Sequence, residues 1–326
     1  MRILVTGADG MLGSNLVRLL LEREHEVNVL VHPASRSTTL NGLPVKKFTG
    51  DILSPDSIDS AIKGADILIH AAASTSVWPS RSEKVRRINI DGTRNMIDAA
   101  LKHQVRRMIY IGSASSVDEN QLVDGEYCFS CHQTGLDYID SKYEALQLVI
   151  EAFRTRGLPA IAILPTFMIG PFDSLPSSGK MILAMARKKV KFYTRGGKNF
   201  VCVRDVAIAV SNAIELGRLG KIYITGNENL SFKDFFSRAA IILNKPAPQM
   251  RVPDWLVQSF GFVGSANGYL LGREPLLSWH MACISCHSHF NFNDDARNEL
   301  RMPRTPIEEG ILECYKWFLE NSYLRG

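Results

Sequence analysis

The chain has 326 residues, of which 45% are hydrophobic and 22% charged, and its net charge is +5. This composition excludes a disordered or collagen-like chain, and six cysteines are too few for a disulfide scaffold. The length suggests two domains or one large one, and it lets the chain bury roughly three quarters of its unfolded surface. Apolar stretches fall short of the ~20 residues that span a bilayer. We therefore expect a soluble, cytoplasmic protein without a signal peptide.

The first half of the chain alternates short apolar, β-branched runs with longer helical patterns. Strands are predicted at Arg2 to Val5, Val27 to Val31, Asp66 to Ile69, Arg107 to Ile111 and Ala160 to Leu164. Helices are predicted at Ser14 to Arg23, Asn89 to Lys102 and Tyr138 to Arg156. Nearly continuous apolar strands between helices indicate an α/β fold with a parallel sheet covered on both faces.

The pattern changes after about Pro171, where prolines, aromatic residues and irregular segments become more frequent. We therefore predict a nucleotide-binding domain over residues 1–171 and a smaller, mostly substrate-binding domain over residues 172–326. A segment near 199–227 is expected to return to the first domain, because Lys221 to Ile224 is a short β-branched run suited to its sheet.

Three glycines follow the first predicted strand and lead into the first helix, in the pattern Gly7-x-x-Gly10-x-x-Gly13. The first glycine permits a tight turn, the second a close approach of the backbone to a pyrophosphate, and the third close packing of helix on strand. The helix N-terminus, at Met11 and Leu12, would then face the anion. The position of this motif predicts a doubly wound Rossmann sheet that binds a dinucleotide.

The end of the second strand normally distinguishes NAD from NADP, because an acidic residue there binds the ribose 2′-hydroxyl. Here the sequence carries no carboxylate between Val31 and Arg36. His32, Ser35 and Arg36 suit a 2′-phosphate instead, which favours NADP(H) and leaves NAD(H) as the alternative. Asp51, after another predicted strand, is placed to accept a hydrogen bond from the adenine amine.

A tyrosine and a lysine stand four residues apart on a predicted helix, as Tyr138-x-x-x-Lys142, so their side chains share one face. A nearby ammonium is expected to lower the tyrosine pKa from its usual value of about 10, which suits proton exchange with an alcohol or carbonyl. Ser113 follows the strand that ends at Ile111, at the sheet edge where ligands bind, and it could orient the substrate oxygen.

Together these motifs resemble the extended short-chain dehydrogenase/reductase family, also called the NAD-dependent epimerase/dehydratase family, over nearly the whole chain. The resemblance implies catalytic roles for Ser113, Tyr138 and Lys142. It also implies that Tyr138 and Lys142 contact the cofactor. The other cofactor contacts that it implies are Gly7, Gly10, Met11, Leu12, Gly13, His32, Ser35, Arg36, Asp51, Ile52, Ala71, Ala72, Ala73, Asn89, Pro165, Thr166 and Met168. Asn89 with Gly92-Thr93 is similar to the helix start N-x-x-G-T of the family, and residues 199–207 are similar to its late motif ending in D-V-A.

Within the family, the sequence resembles the branch of dihydroflavonol 4-reductases and 3β-hydroxysteroid dehydrogenases. Leu164 stands where nucleotide-sugar epimerases often have an arginine. The branch implies reduction of a carbonyl on a small, apolar molecule, by an enzyme that commonly forms homodimers. Two alternatives remain: an epimerase or dehydratase of nucleotide sugars that retains NAD, and a non-catalytic cofactor sensor. The three catalytic residues argue against a sensor.

Two C-x-x-C-H segments contain four of the cysteines, and together they could form a zinc site. These cysteines are Cys128, Cys131, Cys283 and Cys286. Separate structural cysteines are the preferred interpretation, so no metal is predicted.

Two further segments bear on partners. The basic run Arg187 to Lys191 is typical of a solvated helix end, and without a nucleic-acid-binding motif we expect no nucleic-acid partner. Trp255 to Leu271 could skim a membrane, but the segment lacks the charged face of an interfacial helix. Apolar residues such as Trp78, Phe167 and Trp255 suit a hydrophobic substrate pocket or a domain core.

Overall fold

A computed structural model describes residues 1–123, 126–128, 135–291 and 293–324, with the backbone alone for 118–123 and 126–128. The strands, numbered in chain order, are β1 (Arg2–Thr6), β2 (Glu26–Val31), β3 (Lys46–Thr49), β4 (Ile67–His70), β5 (Arg107–Ile111), β6 (Asp118–Val123), β7 (Glu126–Cys128), β8 (Ala160–Pro165), β9 (Phe167–Ile169), β10 (Phe192–Tyr193), β11 (Gly197–Cys202), β12 (Ile222–Thr225), β13 (Glu228–Ser231), β14 (Met250–Arg251) and β15 (Ser288–His289). The helices are α1 (Met11–Glu22), α2 (Pro55–Ile62), α3 (Glu83–Arg86), α4 (Gly92–Lys102), α5 (Asp137–Arg156), α6 (Lys180–Ala186), α7 (Val203–Leu216), α8 (Phe232–Leu243), α9 (Asp254–Leu271), α10 (Trp279–Ser285), α11 (Asp295–Leu300) and α12 (Ile307–Glu320).

The main sheet has the strand order β12-β8-β5-β4-β1-β2-β3, and all of its neighbouring strands run parallel. Its central strands are buried on both faces, because helices cover each side. Leu16 and Val17 of α1 pack with Val206 and Val210 of α7 on one face. Helices α2, α4 and α5 contribute to the core on the other face. The predicted α/β Rossmann fold is confirmed.

The order of the strands reverses between β1 and β4. A doubly wound sheet forms its ligand crevice at such a position. Strands β1, β4, β5 and β8 all end at this edge, since neighbouring strands run parallel. The glycine loop follows β1, Ala71 follows β4, and Ser113 follows β5. The fold therefore gathers residues that are far apart in the sequence at one edge of the sheet.

A second lobe is built around a smaller sheet of β9, β11, β13 and β15. Its core includes Phe200 and Phe235, whose rings stack with centroids 4.2 Å apart, and residues of α6 and α12. Strand β9 begins two residues after β8 ends, so the substrate side of the crevice is joined directly to this lobe.

The chain crosses between the two lobes more than once. Strand β11 lies in the second lobe, α7 packs against α1, and β12 pairs with β8 at the edge of the main sheet. The predicted return of Lys221 to Ile224 thus corresponds to an edge strand one residue later. The predicted boundary at residue 171 stays a prediction.

Helices α9 and α10 form a hairpin with a very small core of its own. Val257 packs with Ala282 and Cys286, and a Cβ on Gly261 would lie 2.5 Å from the Cβ of Ala282. Strand β10 pairs with β14 immediately before α9 begins. Within the described part of the chain, no helix is both long and apolar enough to cross a bilayer.

Candidate active site

The glycine loop is shaped by two close backbone approaches. Gly7 has φ +67°, and a Cβ there would lie 2.6 Å from the nitrogen of Ala72. A Cβ on Gly13 would lie 2.1 Å from the carbonyl oxygen of Gly7. Gly10 differs, because its nearest such contact is an ordinary 3.4 Å. The fold itself thus requires glycine at positions 7 and 13, whereas the space at Gly10 is open.

Helix α1 begins at this loop without a side-chain cap. Gly10 is the N-cap residue, and no side chain accepts a hydrogen bond from the first turn of the helix. Backbone N–H groups at Met11 and Leu12 are therefore available to an anion, and a helix N-terminus favours negative charge. This uncapped turn beside three glycines fits a dinucleotide pyrophosphate.

The residues predicted at the adenosine end lie close together. His32 Nε2 is 3.5 Å from a carboxylate oxygen of Asp51, whose other oxygen accepts a hydrogen bond of 2.9 Å from the N–H of Leu53. Arg36 is exposed. Sequence analysis missed Asp9, whose carboxylate accepts a hydrogen bond from the hydroxyl of Ser35. A carboxylate therefore reaches the predicted phosphate site from the glycine loop rather than from the end of β2.

A buried hydrogen-bond chain fixes the segment that follows β4. The hydroxyl of Thr6 lies 2.8 Å from Nδ1 of His70 and accepts a hydrogen bond from the N–H of Ala72. Burial holds the pKa of His70 down to about 3, so this histidine is neutral. These hydrogen bonds place the backbone at Ala71 and Ala72 directly against Gly7, and Ala73 follows them. Ile52, after β3, is buried beside Gly92, where a Cβ would lie 2.6 Å from its side chain.

The structure corrects the predicted helix start at Asn89. The helix begins at Glu83 and continues through a π-helical turn over Arg87–Asp91 into α4. Asn89 lies in this turn and donates hydrogen bonds to the carbonyl of Ser74 and to the hydroxyl of Ser141, at 3.1 and 2.9 Å. Its side-chain oxygen accepts from the N–H of Ser74. The helix continues because Asn89 satisfies backbone groups of its neighbours instead of capping its own helix.

The predicted catalytic trio comes together at the sheet edge. The hydroxyl of Ser113 is close enough to the phenol of Tyr138 to act on its pKa, and it lies 2.7 Å from the hydroxyl of Ser115. Lys142 is 4% exposed, and its Nζ donates a hydrogen bond of 2.7 Å to the carbonyl of Ile111. The ammonium also lies 4.9 Å from the centre of the Tyr110 ring. The ring of Tyr110 thus makes a cation–π contact with Lys142, which the sequence did not predict.

The protonation states differ from the expectation for Tyr138. Burial raises the pKa of its phenol, and the hydrogen bond from Ser113 offsets this only in part. The expected net lowering of this pKa is therefore wrong, because the effect of burial is larger. Burial lowers the pKa of Lys142 to about 7, so the ammonium loses its proton near neutral pH. A neutral phenol at pH 7 is suited to donate a proton to a carbonyl oxygen.

The chain after β8 forms the opposite wall of the crevice. Pro165 ends β8, the hydroxyl of Thr166 donates a hydrogen bond of 2.9 Å to Asn199, and Met168 packs against the main core. Lys198, beside Asn199, lies 5.7 Å from the centre of the Phe167 ring. Burial lowers the pKa of Lys198 to about 8, and no carboxylate among the described residues pairs with it. The sequence did not predict a role for this cation, which stands one residue before the late motif at residues 199–207.

Helices α9 and α10 border the segment that leads to Tyr138. The rings of Trp78 and Tyr269 have centroids 4.6 Å apart, and a Cβ on Gly135 would lie 2.9 Å from Nε2 of His280. The backbone of Ser80 accepts a hydrogen bond of 2.8 Å from the N–H of Asp137, at the start of α5. Aromatic and apolar groups of this hairpin therefore lie next to the catalytic helix.

The structure describes the cysteine side chains of only one of the two C-x-x-C-H segments. Cys283 lies in α10 and Cys286 is the buried residue that ends it. Cys131 and the side chain of Cys128 lie outside the described residues. Within the ranges that the structure describes, no group of three or more His, Cys, Asp or Glu side chains could hold a metal ion.

Comparison with known proteins identifies the family. The model of the NAD dependent epimerase/dehydratase family matches residues 3–226. The chain belongs to this family. A Synechocystis protein provisionally named dihydroflavonol 4-reductase is 31% identical over 98% of this chain and 95% of its own length. The mouse sterol-4-alpha-carboxylate 3-dehydrogenase, decarboxylating, is 29% identical over 79% of this chain and 73% of its own.

Solved structures agree with the family assignment. The crystal structure of gox2253 is 31% identical, covers 99% of both chains and has a TM-score of 0.85. The predicted membership of the family, with relatives named as dihydroflavonol reductases and sterol dehydrogenases, is confirmed. The protein is accordingly an NAD(P)-dependent oxidoreductase of the epimerase/dehydratase family.

The position of Lys142 predicts a pH dependence of cofactor binding. Ribose hydroxyls would accept hydrogen bonds from the ammonium form, which the free protein loses as the pH rises through about 7. We expect the affinity for the cofactor to fall by up to about tenfold per pH unit above 7, because binding must then take up a proton. Calorimetric titrations between pH 6 and 9 measure this slope.

Two variants control the pH experiment. Lys142→Met should bind weakly with no such slope, whereas Lys233→Met, an exposed lysine on α8, should behave like the wild type. Removal of the buried charge should also raise the free energy of unfolding at pH 7 by about 1–4 kcal/mol. The folded protein holds this pKa below the unfolded value, so its stability falls as the pH drops from about 10 towards 7. An equal pH dependence of cofactor affinity in Lys142→Met would contradict the role of Lys142 in binding the ribose.

Proposed function

We propose that the protein transfers hydride between NADP(H) and a small, apolar molecule, interconverting a carbonyl and an alcohol. The observation that carries this proposal is the juxtaposition of Ser113 and Tyr138 at the crevice, with the buried Lys142 one helical turn from Tyr138. These groups lie at the same edge of the sheet as the glycine loop. Apolar side chains of Phe167, Trp78 and Tyr269 support an apolar substrate.

The residues present fit a nicotinamide dinucleotide. The open space at Gly10 and the uncapped start of α1 would receive its pyrophosphate, and Lys142 would hold the ribose beside the nicotinamide. When bound, the cofactor supplies or accepts the hydride. Backbone groups at Pro165 and Thr166 are suited to orient the nicotinamide, because they follow β8 at the same edge.

The chain's own residues handle the substrate oxygen. In the direction of reduction, Tyr138 donates its proton to that oxygen as negative charge develops there. Ser113 donates a hydrogen bond to the same oxygen and keeps it aligned with the phenol. Lys142 then stabilises the phenolate until a proton returns from solvent. In the direction of oxidation, the same phenolate accepts the proton of the alcohol.

Two charged residues act in opposite directions on the choice between NADP and NAD. Arg36 would pair with a 2′-phosphate, whereas the carboxylate of Asp9, held at Ser35, would repel it. We expect Asp9→Asn to increase the preference for NADPH over NADH by about tenfold, and Arg36→Ala to decrease it by a similar factor. Calorimetry with both cofactors measures the two ratios, and a shift of the same sign in both variants would contradict this assignment.

A second candidate is an epimerase or dehydratase acting on a nucleotide sugar. The observation that favours it is Lys198, a half-buried ammonium without a carboxylate partner among the described residues, since such a cation suits a diphosphate or a substrate carboxylate. An epimerase would keep its nucleotide tightly bound, because the same cofactor is reduced and reoxidised in each turnover.

One experiment separates the two candidates. The purified protein is first analysed for retained nucleotide and then titrated with NADPH and NADH. Tight NADPH binding to a nucleotide-free protein supports the reductase, which is then assayed with hydrophobic aldehydes and ketones. Retained NAD together with binding of a nucleoside diphosphate would replace it by the epimerase.

A further inference from the structure

The α9–α10 hairpin leaves large apolar side chains in solvent. Only Val257, Gly261 and Gly268 of α9 are buried, and they share one side of the helix. The opposite side is exposed, with Trp255 68% and Leu270 83% accessible. We call the exposed apolar residues of this side and of its flank the α9 apolar face: Trp255, Phe260, Phe262, Val263, Leu270 and Leu271. Contiguous exposed apolar surface on a soluble protein marks an interaction site.

The α9 apolar face contains no charge of its own. Between Trp255 and Leu271 the sequence has no Asp, Glu, Lys or Arg. The acids at its two ends are paired, Asp254 with Arg195 at 3.3 Å and Glu274 with Lys180 at 3.4 Å. A helix that is apolar over most of its circumference needs a second apolar surface to cover it.

The fold places the densest basic run of the sequence at the start of this face. Lys188, Lys189 and Lys191 are exposed and have no ion pair among the described residues. They precede β10, which pairs with β14, and β14 leads into α9 within three residues. We call these three lysines the β10 basic run. The exposed Phe192 and Met250 lie opposite each other in this ribbon and connect the basic run to the apolar face.

We propose that the α9 apolar face and the β10 basic run together dock the protein onto the surface of an anionic lipid bilayer. Apolar and aromatic side chains enter the boundary between headgroups and acyl chains, and lysines attract anionic headgroups. The segment Trp255 to Leu271 by itself lacks the charged face of an interfacial helix, because the charges come from the β10 basic run. The hairpin borders the segment that leads to Tyr138, so docking would bring this side of the crevice towards the bilayer.

A second copy of the chain suits this surface less well. A two-fold interface brings the same patch of both subunits together, so it would hold two copies of the β10 basic run and no acid from either α9 apolar face. Like charges without counter-charges oppose such an interface. Anionic lipid supplies the counter-charges and the apolar surface at once.

The experiment is flotation of the purified full-length protein with vesicles. Phosphatidylcholine vesicles containing phosphatidylglycerol should bind the protein, and vesicles of phosphatidylcholine alone should bind it far less. Replacing Lys188, Lys189 and Lys191 by Gln should reduce partitioning about a hundredfold, because each lysine near the surface contributes about 1 kcal/mol. Leu270→Ser should reduce it about tenfold. Ile241→Ser, at an 82% exposed residue of α8, is the matched control and should change nothing.

Two outcomes would overturn the proposal. One is a protein that stays in solution with both kinds of vesicle. The other is sedimentation of the free protein as a dimer that Leu270→Ser dissociates, which would assign the face to a second copy. Docking does not depend on the proposed chemistry, so Tyr138→Phe should bind vesicles like the wild type even where it has no turnover.

Discussion

Tyr138→Phe should reduce the turnover number by about 10²–10⁴-fold, because the substrate oxygen loses its proton donor. The affinity for the cofactor should change by less than about threefold, since the ring remains and Lys142 keeps its hydrogen bond to Ile111. Single-turnover kinetics with a reduced cofactor, together with calorimetry, measure both quantities. The result would separate the chemical step from cofactor binding.

Tyr315→Phe on α12 is the matched control. It removes a phenol hydroxyl from a residue that is distant from Tyr138 in the sequence. It should retain full activity. Full activity in Tyr138→Phe would refute the proposed catalytic role. A Tyr138→Phe variant that has also lost cofactor binding would instead assign the phenol to binding.

Gly10→Ala should abolish cofactor binding while leaving the protein folded. A Cβ at Gly10 meets its nearest neighbour at 3.4 Å and its φ is −79°, so alanine fits the backbone without strain. The same methyl group would enter the space that the pyrophosphate needs, and we expect the dissociation constant to rise by at least about a hundredfold. Calorimetry measures the affinity, and thermal denaturation without cofactor measures the stability.

Gly13→Ala provides the contrast. Its Cβ would lie 2.1 Å from the carbonyl oxygen of Gly7, so the loop and α1 must move apart. We expect a loss of about 1–3 kcal/mol of stability with or without cofactor. If Gly10→Ala destabilised the free protein as much as Gly13→Ala, the two glycines would share one structural role, and the pyrophosphate assignment for Gly10 would fail.

Regular features of the sequence predicted the main sheet well. The run Arg107 to Ile111 matches β5 in both bounds, and Tyr138 to Arg156 matches α5 within one residue. Both segments are long or fully buried, so their apolar pattern alone determines their structure. The glycine motif was equally informative, because close backbone approaches exclude other residues at Gly7 and Gly13.

Features that depend on tertiary contacts were not visible in the sequence. The π-helical turn at Asn89 forms because its amide reaches Ser74 and Ser141, which lie 15 and 52 residues away. Asp9 stands inside the glycine motif, and Lys198 stands one residue before the late motif at residues 199–207. Their own positions, against Ser35 and over Phe167, follow only from the fold. Likewise, the raised pKa of Tyr138 results from burial, which spacing along a helix does not reveal.

The packing of α7 on α1 and the pairing of β12 with β8 have a consequence for how the protein can be divided. A fragment ending at residue 171 would leave Leu16 and Val17 of α1 uncovered and would expose the edge of β8. Neither lobe is therefore an independent module that recombination could exchange between relatives. New substrate ranges must arise by local change in loops and in the α9–α10 hairpin, while the interleaved framework is inherited as a whole.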